Sequence, residues 1–118
     1  AGFIASLLGA LLLLWLYGQV VQRCRDRGIV PLAGYLPFSQ AIDAETGKLA
    51  VRQMELAREA GFEVIDLTDA YKGADYPSLW IAPWDSHPNA AGHRLLADKL
   101  YEKLRGWMQA SLGQQPAG

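Results

Sequence analysis

The segment richest in chemistry is Asp85-Ser86-His87-Pro88-Asn89-Ala90-Ala91-Gly92-His93. An imidazole with an ordinary pKa of ~6.5 takes and returns protons near neutrality. Pro88 holds the residue before it in extended geometry, which predicts that His87 sits on a loop and not in a helix. Asn89 is a good N-cap for a following helix. The ring is therefore expected at a rigid corner before a helix N-terminus. A carboxylate that accepts the Nδ1–H would fix the tautomer and stabilise the imidazolium. Asp85 is near enough in sequence to be that carboxylate. A metal site built from Asp85, His87 and His93 is a weaker alternative, because His93 lies inside the helix and its ring can face elsewhere. No metal and no organic cofactor is expected.

The elements that must position this segment read as repeated helix, glycine and strand. A first helix runs to about Arg27, and Gly28 supplies the positive φ that ends it. Ile29 to Leu36 is an apolar run of strand length, like a central parallel strand, with Pro31 expected at its start or at an irregularity. Phe38 to Gly47 reads as a loop. Lys48 to Ala60 is helical, with Ala50, Met54 and Ala57 on its inner face and Arg52, Glu55, Arg58 and Glu59 outside. Gly61 stops it, and Phe62 to Leu67 is the next strand. Thr68 can cap a short helical turn through Tyr71. A loop with Gly73, Pro77 and Pro83 leads to Trp84. The last helix is expected to reach about Leu112, burying Leu96, Leu100, Leu104, Trp107 and Met108, with residues 113–118 as a frayed tail. Helices alternating with apolar strands indicate an α/β domain with a parallel sheet. Two strands do not make a stable sheet alone, so the expectation is a fragment of a larger one.

The block Asp85, His87, Pro88, Asn89, Gly92 and His93, followed by a terminal helix, resembles the C-terminal block of the SGNH (GDSL-type) hydrolases. The two preceding helix-glycine-strand units look like the last layers of that fold, so the resemblance covers nearly the whole chain. It implies a three-layer α/β/α, flavodoxin-like parallel sheet, of which residues 1–118 are the C-terminal part of a single domain. It implies an esterase or lipase type of activity on a small-molecule ester, with His87 as general base and acid and Asp85 as its orienting partner. Two departures stand out. The commonest family spacing puts the Asp three residues before the His, where this chain has Trp84; Asp69 is a weaker substitute for Asp85. The family's serine block and its Gly and Asn oxyanion blocks do not occur here, and Ser6, Ser39, Ser78, Ser86 and Ser111 lack the right context. The chain alone is therefore expected to be inactive on esters, since oxyanion donors are worth about 3 kcal/mol each.

Aromatic residues near the block could line a substrate cleft or pack beneath it: Trp80, Tyr76 and, favoured for substrate by its position, Trp84. Phe38 and the Leu36-Pro37 corner lie where ligands approach open α/β sheets. The formal charge of −1 over 118 residues argues against a phosphate-backbone partner, and Asp26 interrupts the cluster of Arg23, Arg25 and Arg27. The single cysteine, Cys24, forms no internal disulfide.

No charged side chain occurs from Ala1 to Gln22, and Leu11 to Tyr17 is strongly apolar. That is near the ~20 residues a membrane span needs. Ser6, Gly9, Gly18, Gln19 and Gln22 dilute it, and a basic n-region of a signal peptide is missing. The reading prefers a helix packed inside a larger α/β domain, with a membrane segment through residues 3–17 as the alternative. The rival function is accordingly a non-catalytic, membrane-attached docking protein.

Overall fold

Two glycines end helices in the same way. The computed structural model describes residues 2–113. Helix α1 (Gly2–Arg25) closes where Gly28, at φ +67°, donates its N–H to the Arg25 carbonyl and Ile29 donates to that of Cys24. Helix α2 (Ala44–Ala60) closes where Gly61, at φ +101°, donates to Arg58 and Phe62 donates to Ala57. Both are Schellman motifs, in which the left-handed residue carries no Cβ penalty. Gly61 has a second reason to be glycine. A Cβ there would lie 2.6 Å from Arg25 Nη2 and 2.9 Å from Val21 Cγ1.

Helix α2 starts earlier than its apolar spacing suggests. Asp43 Oδ1 accepts the Thr46 N–H at 2.7 Å, so Asp43 is the cap and Gly47 lies in the helix. The inner face is as expected, with Ala50 and Met54 buried.

The strands are short. Strand β1 (Leu32–Tyr35) pairs in parallel with β2 (Glu63–Asp66), and Pro31 stands just before β1, where its carbonyl accepts the Glu63 N–H. After β2 the chain turns, and Asp66 Oδ1 accepts both the N–H and the hydroxyl of Thr68, so Thr68 caps no helix. A 3-10 turn at Tyr76–Leu79 leads into β3 (Trp80–Ala82), which pairs antiparallel with β4 (Asp85–Pro88). Helix α3 (Ala90–Gly113) closes the described residues. Of the expected frayed tail, Gly113 belongs to α3 and residues 114–118 lie outside the described residues.

This corrects the three-layer parallel sheet. The described residues form one parallel pair and one antiparallel pair, not a multi-stranded sheet with helices on both faces. Apolar runs bounded by glycine specify strands, but the number of strands that join depends on partners a local pattern does not contain.

The described residues divide into two compact units, one of residues 2–33 and 51–64, the other of residues 34–50 and 65–113. In the first, α1 buries only Val21, and the rings of Tyr17 and Phe62 meet edge to face at 6.2 Å. Phe3 to Leu16 stay exposed, so nothing among the described residues covers α1. In the second, Ile65, Leu67 and Ala70 form a core covered by Leu96, Leu104 and Trp107 of α3. Leu100 and Met108 remain exposed. The narrow face of two short strands offers less to cover than a full sheet.

Candidate functional site

The hairpin β3–β4 carries the candidate residues, all within the second unit. Trp80 pairs with Pro88 and Ala82 with Asp85, two steps on β3 against three on β4. Strand β4 therefore holds one residue more, and Ser86 and His87 together oppose Ile81. Bulges of this kind bend a strand and re-aim its side chains.

Here Asp85 Oδ1 lies 2.5 Å from His87 Nδ1 and also accepts the His87 backbone N–H at 3.0 Å. The expected pairing of Asp85 with His87 is present. His87 belongs to a strand and not to the loop anticipated, although its backbone is extended as Pro88 requires. The His87 ring hydrogen bond, and then its backbone N–H, hold the Asp85 carboxyl below the usual carboxylate range. The imidazole side chain is 83 % exposed, so its other ring edge faces water. This arrangement fits a tautomer with the proton on Nδ1 and a free lone pair on Nε2.

Three contacts hold the hairpin. The buried Ser39 donates its hydroxyl to the Ser86 carbonyl. The Trp80 indole N–H donates to the Ser39 carbonyl at 2.6 Å. Ser39 thus clamps both strands, a positioning role that its sequence context did not signal. Asn89 makes the third contact. Its Oδ1 accepts the N–H groups of Ala91 and Gly92, capping α3 as expected. Its Nδ2 donates to the carbonyls of Ser78 and Trp80, which ties the cap to the hairpin. Gly92 is buried against this corner, and a Cβ there would lie 2.8 Å from Pro88 Cβ.

The remaining candidates separate. Asp69 pairs with Lys99 at 3.4 Å, and Lys99 also reaches Glu102 at 3.0 Å, so Asp69 is engaged away from the imidazole. His93 is exposed on α3. Among the described residues, no three His, Cys, Asp or Glu side chains gather as a metal site would require. Trp84 stands at the hairpin tip, 86 % exposed. Trp80 is held by its indole bond, whereas Tyr76 joins Tyr35, Phe38, Thr68 and Tyr71 around a cavity of about 60 Å³. The buried Tyr71 hydroxyl has no partner, and burial pushes its phenol up. No serine hydroxyl among the described residues bonds the His87 ring; the hydroxyls of Ser39 and Ser78 both donate to backbone carbonyls.

No family model, curated protein or solved structure matches the chain.

Proposed function

We propose that Asp85 and His87 are the proton-transfer pair of an ester hydrolase of serine-nucleophile type, working on a nucleophile not supplied by this chain. The observation that carries the reading is the 2.5 Å Asp85–His87 contact on a clamped hairpin with the imidazole open to solvent. In this reading Nε2 removes the proton from an attacking hydroxyl, whose oxygen bonds to the ester carbonyl carbon. Asp85 stabilises the imidazolium that forms. The imidazolium returns the proton to the leaving alcohol as the acyl–oxygen bond breaks, and water then releases the acyl group by the same proton route. Trp84, beside the pair in sequence and open to solvent, would meet the ester's apolar portion. The substrate is a small ester, and the chemistry calls for no metal or organic cofactor.

The test is hydrolysis of p-nitrophenyl acetate by the natural translation product that carries residues 1–118. His87→Ala should lower kcat/KM by roughly 10⁶-fold, and Asp85→Asn by about 10⁴-fold through loss of the correct tautomer. A chelator should leave activity unchanged, whereas a metal site would lose it. Unaltered turnover in His87→Ala would rule this reading out. The 118-residue chain alone should show no turnover above that of free imidazole.

A further inference from the structure

The strongest unexplained feature is α1. Its 24 residues include an 18-residue window of mean hydropathy 2.0, only 6 % of which is buried. The apolar side chains do not form a stripe. Leu11, Leu12, Leu13 and Leu14 step by about 100° each and so cover the whole circumference, and all four are exposed. A single docking surface covers one face of a helix, whereas the core of a larger protein or a bilayer surrounds every face. A helix that is apolar all round calls for an apolar surrounding on every side.

Length and charge agree on what that surrounding is. The uncharged stretch from Gly2 to Gln22 spans about 32 Å as a helix, close to the ~30 Å hydrocarbon core of a bilayer. Beyond its first turn, its backbone N–H groups bond within the helix, as a lipid environment demands. Charge appears only at the C-terminal end, where Arg23 and Arg25 occupy the last turn and Arg27 follows, donating to the Arg23 carbonyl. Guanidinium groups there complement both the helix dipole and anionic headgroups. Helix α3 has the same length but carries Arg94, Asp98, Lys99, Glu102, Lys103 and Arg105.

We propose that α1 spans a lipid bilayer, with Arg23, Arg25 and Arg27 at the headgroups of the side that also carries Asp85 and His87. Among the described residues no second helix is long and apolar enough to cross. The chain from Gly28 to Gly113 therefore stays on the arginine side. The inference is independent of the ester-hydrolysis reading.

The test uses the 118-residue chain synthesised in the presence of sealed phosphatidylcholine–phosphatidylglycerol vesicles. Cys24→Ser removes the only cysteine, and Gly2→Cys, Leu12→Cys or Ile29→Cys is added singly. A membrane-impermeant maleimide should label the Ile29→Cys protein in intact vesicles. It should label Gly2→Cys only after lysis, and Leu12→Cys in neither case. Equal labelling of Gly2→Cys and Ile29→Cys in intact vesicles would mean that the helix lies on the surface or in water, and would overturn the proposal. A second readout is resistance to alkaline carbonate. The parent chain should stay with the vesicles, while Leu12→Lys with Leu13→Lys shifts insertion by roughly 10⁴-fold and releases it. Release of the parent chain, or its recovery as a water-soluble assembly, overturns the span.

Discussion

Helices α1 and α3 are both 24 residues long, and they are opposite solutions for a helix of that length. Helix α3 spreads charge over its outer face and lays Leu96, Leu104 and Trp107 on Ile65, Leu67 and Ala70. Helix α1 carries leucines on every side and buries one residue, Val21. The contrast teaches that length does not choose a helix's surroundings; the distribution of apolar side chains around its circumference does. A striped helix builds a core beside it, whereas a helix apolar all round has to be given one.

The comparison can be broken most directly at paired leucines. Leu67, 1 % exposed, should cost about 2–5 kcal/mol when cut to Ala, by loss of transfer energy and the cavity left behind. Leu12→Ala should stay within ~0.5 kcal/mol by chemical denaturation in detergent solution, because Leu12 is not part of the buried core. Equal losses at the two sites would show that α1 is packed in the folded unit after all.

The next effect concerns how α3 is anchored. Gly92→Val forces a side chain into Pro88 and the Leu79 carbonyl and should cost about 1–3 kcal/mol in a melting experiment. Asn89→Ala removes the cap and should cost about 1 kcal/mol. It should also loosen the hairpin, since the Nδ2 bonds to Ser78 and Trp80 go with it. Faster amide exchange at Ala91 and Gly92 would report the lost cap. Helix α1 carries no acidic side chain in its first described turn, and its C-terminal end is the Gly28 turn.

The smallest effect is the pH response of the hairpin. Asp85 has a lowered folded pKa, so the stability its contact adds is present above the unfolded carboxylate value of about 3.9. That stability is lost as pH falls through the lowered value. Between pH ~5 and ~8 the carboxylate should not titrate, as the Asp85 side-chain carbon shift in an NMR titration would show. Asp85→Asn should remove Asp85's share of the acid-range loss and leave that of Asp43, which the Thr46 N–H also holds low.

How far the sequence could be read follows the range of each signal. Glycine at Gly28 and Gly61, the Asn89 cap and the Asp85–His87 proximity were all legible, because each depends on a few neighbouring residues. Pro88 likewise announced the extended backbone of His87. The hairpin was not legible. Strands β3 and β4 have three and four residues without alternation, and Pro77, Pro83 and Pro88 made the stretch read as loop. The start of α2 at Asp43 was not legible either, because Phe38 to Gly47 read as a loop. Ser39 gave no signal, since its partners Ser86 and Trp80 lie far along the chain.

By itself, the sequence determined where α1 and α2 stop, where α3 begins, and that a carboxylate and an imidazole stand two residues apart at Asp85 and His87. These follow from backbone preference and side-chain type within a few residues. Only the tertiary structure decided how the strands pair, that a bulge and a Ser39 clamp aim His87 at solvent, and that α1 finds no cover in the described residues. Such outcomes depend on contacts between distant segments, where a local pattern states what a surface needs and the fold decides whether it is met.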